Sequence, residues 1–69
     1  MNPEHEVNSY IDMAMNELER AIRSNSEEKS YRDTKLHLDT AIRLAKIALK
    51  NVEQNEGRNS RLQKLLNKD

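Results

Sequence analysis

The sequence predicts an all-α protein: an antiparallel helical hairpin with a short third C-terminal helix or flexible tail, dimerising into a four-helix bundle. Apolar residues recur at intervals of three and four over two long segments, which is the period of one helix face. One proline and one glycine stand near the ends of these segments, where such residues start and stop helices. Residues 36–52 also carry more apolar surface than one partner helix can cover.

The first helix is predicted over residues 3–23. Pro3 suits the first turn of a helix, where its missing N–H costs nothing. Glu4 and Glu6 place negative charge at the positive end of the helix dipole. The apolar positions follow at spacings of four and three and form a stripe that we expect to face the second helix. Its members are Val7, Ile11, Ala14, Leu18 and Ala21, widened by Met15 and Ile22.

The second helix is predicted over residues 26–55, directly after a short turn. Ser24 with Glu27, and Asn25 with Glu28, have the spacing of a capping box. Gly57 can adopt the left-handed conformation that ends many helices, so the helix is expected to stop there. The stripe expected to meet the first helix consists of Tyr31, Thr34, Leu38, Ala41, Ala45, Ala48 and Val52, with Ile42 and Leu49 beside it.

The chain divides into a hairpin over residues 1–56 and a basic tail over residues 57–69. Ser60 can cap a short last helix that carries Leu62, Leu65 and Leu66. Residues 1–23 hold five acids and two bases, and residues 57–69 hold four bases and one acid. An antiparallel hairpin returns the tail to the start of the first helix, so charge attraction is expected to bias the tail toward that end.

A second apolar stripe is left over once the first is assigned to the hairpin, and it is the predicted association surface. Two hairpins that pair through this surface form a four-helix bundle, which gives a small chain a sufficient core. Two alternatives remain open: the tail folds back and covers the stripe, or a different protein binds it. The predicted surface comprises Tyr10, Met13, Leu36, Thr40, Leu44 and Ile47.

Catalysis and cofactor binding are not predicted. The chain has no cysteine and a single glycine, which excludes a cysteine nucleophile and a glycine-rich phosphate loop. His5 lies between two glutamates, but adjacent helical residues point about 100° apart and cannot converge on one ion. His37 has only Asp33 one turn before it, too few ligands for a firm metal site. Both histidines are expected to be exposed and solvated.

Nucleic-acid binding is the alternative function. A basic stripe along the second helix, together with the basic tail, could neutralise phosphates, and dimerisation would double it. The total of twelve bases against twelve acids weighs against this alternative. The possible nucleic-acid contacts are Arg32, Arg43, Lys46, Lys50, Arg58, Arg61 and Lys64.

The sequence thus predicts a non-catalytic protein-interaction module. We expect a homo-oligomeric regulator or adaptor whose partners are a second copy of itself and another protein. No segment has the length and apolar content of a membrane span, and no signal peptide is predicted. The absence of cysteine is compatible with the cytoplasm, which is the expected compartment.

Overall fold

Two antiparallel α-helices joined by a tight turn make up the hairpin. The computed structural model describes the backbone of residues 3–66 and the side chains of residues 3–57. Helix α1 spans Pro3–Arg23, a π-helical turn spans Ser24–Glu28, and helix α2 spans Tyr31–Leu66. The molecule is long and narrow, with extents of 62 × 17 × 14 Å. The two helices therefore form a single layer, with one broad side facing each way.

Helix α1 has the bounds predicted from the sequence. Pro3 is its first residue, and Glu4 and Glu6 lie in its first turn. Arg20 and Arg23 occupy the last turn, where positive charge interacts favourably with the carbonyl end of the helix dipole. Local signals at both ends agree with the apolar period, which explains why the prediction was accurate.

The turn between the helices depends on one residue in an unusual conformation. Lys29 has φ 53° and ψ 36°, in the left-handed helical region. The carbonyl of Ser24 accepts hydrogen bonds from the backbone N–H of Lys29 and, at 3.0 Å, from that of Ser30. These bonds satisfy a carbonyl that the end of the helical segment would otherwise leave unpaired. Ser24 itself is buried at the base of the turn.

Ser30 caps helix α2, so the predicted start at residue 26 is wrong. The backbone N–H of Asp33 donates to Oγ of Ser30 at 3.2 Å, and the Thr34 hydroxyl donates to the Ser30 carbonyl at 2.7 Å. Ser30 and Asp33 have the same spacing as the capping pairs considered around residue 24. Several candidate caps lie close together here, and sequence spacing alone did not rank them.

Helix α2 does not stop at Gly57, contrary to the prediction. It continues to Leu66 as one helix, so residues 60–66 form no separate third helix. Gly57 has no positive φ, and therefore does not adopt the left-handed cap conformation. Because His37 lies opposite Glu17, about 15 residues of α2, or roughly 22 Å, extend past the start of α1. The described backbone therefore does not fold back over the hairpin.

Small residues spaced seven apart form the contact between the helices, here called the hairpin seam. The buried residues of the seam are Val7, Ala14 and Ala21 on α1 and Ala41 and Ala48 on α2. Small side chains allow the helix backbones to approach closely. Half-buried residues alternate with them at spacings of three and four, namely Tyr10 and Glu17 on α1 and Thr34, His37, Leu44 and Asn51 on α2.

The seam differs from the predicted one in which large residues it includes. The residues that were expected between the helices but are exposed are Ile11, Leu18, Tyr31, Leu38, Ala45 and Val52. The flanking Met15, Ile22, Ile42 and Leu49 are exposed as well. Each of them lies directly beside the line of buried alanines on the helix surface. The broad apolar arc of each helix offered two neighbouring stripes of similar period, and the hairpin buries the stripe that contains the smaller side chains.

Candidate interaction surface

An apolar groove runs along one broad side of the hairpin, between α1 and α2. Its volume is about 390 Å³. Val7, Ala14 and Ala48 of the hairpin seam line it together with exposed residues of both helices. The lining residues are all apolar: Val7, Ile11, Ala14, Met15, Leu18, Ala45, Ala48, Leu49 and Val52.

The walls of this groove continue along both helices. Ile22 lies seven residues after Met15, Ile42 seven before Leu49, and Leu38 seven before Ala45, so helical periodicity places them on the same side. The eight large members of the set are 41–64% exposed. We call the set the apolar face; it comprises Ile11, Met15, Leu18, Ile22, Leu38, Ile42, Ala45, Leu49 and Val52. Contiguous exposed apolar surface of this kind marks interaction sites.

The surface predicted from the sequence lies largely on the other side of the hairpin. Met13, Leu36, Thr40 and Ile47 each precede a member of the apolar face by two positions, which is about 200° around the helix. Met13, Leu36 and Ile47 are exposed. Tyr10, Thr40 and Leu44 are half-buried, and Tyr10 and Leu44 belong to the hairpin seam. The predicted set thus combines seam residues with a smaller exposed patch.

A polar pair crosses the seam in the half of α1 that is nearer the turn. Nδ1–H of His37 donates to Oε2 of Glu17 at 2.7 Å, and the two side chains are 26% and 17% exposed. Arg20 Nη1 approaches the other carboxylate oxygen of Glu17 at 3.2 Å. The expectation that His37 is a freely solvated histidine is therefore wrong, whereas His5 is exposed as predicted. A glutamate and a histidine at matching seam positions were the signal, but pairing them requires the register of the hairpin.

The basic residues predicted as nucleic-acid contacts are exposed where they are described. Arg32, Arg43, Lys46 and Lys50 lie on the outer surface of α2. Asp39 interrupts them and its Oδ2 lies 3.2 Å from Nε of Arg43. The side chains of Arg58, Arg61 and Lys64 lie outside the described residues. This alternative stays a prediction. A salt-dependent shift in the electrophoretic mobility of RNA or DNA at physiological ionic strength would support it.

The part of the chain that is described contains neither a cluster of metal ligands nor a membrane-spanning helix. No three His, Asp or Glu side chains are grouped so that they could hold a metal ion within it. Neither described helix combines the length and apolar content required to cross a bilayer.

No protein family, curated protein or solved structure matches this chain. The apolar face is the feature of the described residues that indicates a function.

Proposed function

We propose that this protein is a non-catalytic helical interaction module that pairs with a second copy of itself and acts as a regulator or adaptor by binding another protein. The observation that carries this proposal is the apolar face, where eight large side chains from both helices are exposed together. Burying a large aliphatic side chain contributes about 1.5–3 kcal/mol. Half-exposed side chains in this number therefore provide a strong driving force for association.

The small core of the single hairpin supports self-association. Val7 is the largest apolar side chain that the hairpin buries, and the others are alanines. Short chains bury a smaller fraction of their surface than larger ones and are only marginally stable, and this chain has no cysteine for disulfides. Pairing two hairpins through the apolar face would place isoleucine, leucine, methionine and valine side chains in a shared four-helix core.

The opposite broad side supports the binding of another protein. Met13, Leu36 and Ile47 are 40–61% exposed there in the single hairpin, and a partner on the apolar face would not cover them. Methionine packs adaptably against different partners, and the half-buried Tyr10 lies nearby on the seam. This patch is smaller than the apolar face, as befits a weaker and reversible contact.

The test compares one glutamate substitution on each broad side of the same helix. We expect the wild-type protein to sediment as a dimer at micromolar concentration. Leu49→Glu should give monomers because it places a charge within the apolar face, whereas Ile47→Glu should leave the dimer intact. Circular dichroism shows whether both variants remain helical. A wild-type protein that stays monomeric at high micromolar concentration contradicts self-association.

If Ile47→Glu dissociates the dimer and Leu49→Glu does not, the copies pair through the opposite side. That result would restore the surface predicted from the sequence and leave the apolar face for a different partner. The pair of variants therefore separates the existence of the dimer from the position of its interface.

A further inference from the structure

One edge of the apolar face carries four charged residues whose signs alternate. They are Arg32, Asp39, Lys46 and Glu53, each seven residues after the last and each exposed. Asp39 and Lys46 lie three residues before and four residues after Ile42, so both are its neighbours on the helix surface. Glu53 has the same relation to Leu49. From Asp39 to Glu53 the row therefore borders the apolar face along α2, and Arg32 continues the row one heptad toward the turn.

This order of charges is complementary to itself when reversed. Read from Arg32 to Glu53 the signs are positive, negative, positive, negative, and an antiparallel copy presents the opposite sign at every position. Arg32 then meets Glu53 of the second copy, and Asp39 meets Lys46. A pattern that fits its own reverse is what a two-fold symmetric interface requires, because each residue pair occurs twice.

We infer that two copies pair with helix α2 antiparallel to helix α2 across a two-fold axis that passes near Ile42. This inference rests on the proposed function and specifies its partner and geometry. The axis lies midway between Asp39 and Lys46, so Ile42 packs close to Ile42 of the second copy. Leu38 and Leu49 flank it, and the four charges form pairs along the outer edge of the interface.

The position of α1 in the dimer follows from its alignment with α2 in the hairpin. The bond between Glu17 and His37 places the same axis close to Asp12, with α1 antiparallel to α1 of the second copy. Glu19 then faces the segment Glu4–Glu6 of the second copy, while Asp12 lies beside its own copy. These like-charge contacts along α1 weaken the interface only slightly, because exposed charges are well screened.

The competing geometry packs α1 of one copy on α2 of the other. The edge of α1 carries Asp12 and Glu19, both negative, so it cannot match a row of alternating signs at every position. Arg43 also holds Asp39 within its own helix at 3.2 Å, but that carboxylate remains 58% exposed and can accept a second contact. The row of α2 is matched fully only by itself.

Charge exchange tests the antiparallel contact. Asp39→Lys should weaken the dimer about tenfold at low salt, since it turns two symmetry-related attractions into repulsions. Asp39→Lys/Lys46→Asp reverses both signs and should restore the wild-type dissociation constant to within about threefold. A double variant that dimerises no better than the single variant would overturn the inference.

A cysteine at the axis provides a second and independent test. The natural chain has no cysteine, so Ile42→Cys introduces one thiol per copy, and oxidation should join two copies because their Cα atoms come within disulfide range. Lys50→Cys, on the outer surface of the same helix, is the matched control and should remain unlinked. A dimer by mass in which Ile42→Cys stays unlinked contradicts this geometry and leaves the proposed function standing. A wild-type monomer contradicts both.

Discussion

Nδ1 of His37 lies 2.7 Å from Oε2 of Glu17 and joins α2 to α1 in the half of the hairpin that is nearer the turn. The buried residues of the seam on both sides of this pair are mostly alanines. Because these positions are so alike, packing alone would permit one helix to slide along the other by seven residues. A polar pair between seam positions disfavours such slippage, because a displaced Glu17 would lose its partner in a partly buried site. We therefore assign the register of the hairpin to this bond.

A double-mutant cycle measures the strength of the bond. We expect Glu17→Ala, His37→Ala and the double variant to give a coupling free energy of about 0.5–1.5 kcal/mol in chemical denaturation. The exposed pair of Asp39 and Arg43 provides the control cycle, with a coupling of at most about 0.5 kcal/mol. A Glu17–His37 coupling no larger than the control would show that the bond contributes nothing specific to the hairpin.

The turn predicts a stabilising substitution at Lys29. A residue with a Cβ atom pays about 1–2 kcal/mol in the left-handed region, and Lys29 has φ 53°. Lys29→Gly removes that strain but adds freedom to the unfolded chain, so we expect a net gain of about 0.5–1 kcal/mol. The measurement is the free energy of unfolding at fixed protein concentration.

Lys29→Ala is the matched control, because it removes the same charge and keeps the Cβ atom. It should not stabilise the protein. If alanine stabilises as much as glycine, the gain comes from the loss of charge and the left-handed conformation is not its cause.

A substitution at Gly57 tests whether α2 continues through this residue or ends there. A Cβ atom at this position would meet nothing within 4 Å, and alanine is favoured over glycine within a helix by about 1 kcal/mol. Gly57→Ala should therefore raise the helical content measured by far-ultraviolet circular dichroism. Gln54→Ala, on the exposed surface one turn earlier, should change it little, since glutamine is already a good helix former. A fall in helicity for Gly57→Ala would indicate that Gly57 ends a helix after all.

The sequence predicted the elements better than the joints between them. The bounds of α1 were correct because Pro3, the acidic first turn and the apolar period are local signals that agree. Around the turn, Ser24, Asn25 and Ser30 are all residue types that often cap helices. Lys29 adopts the left-handed conformation, and Ser30 directly after it is the cap of α2. At Gly57 the helix continues without a positive φ. Glu56 and Arg58 favour a helix there but Asn55, Asn59 and Ser60 do not, so the local sequence did not decide the outcome.

The apolar period by itself determined that this protein is a helical hairpin with more apolar surface than two helices can bury. It did so because helix periodicity is a property of each segment alone. Only the tertiary structure decided which stripe is inside. The alanine stripe of α1 permits a closer approach to α2 than the neighbouring stripe of Ile11 and Leu18, and that preference exists only where two helices meet. The large residues are left together on the apolar face for that reason, and the proposed association rests on this face.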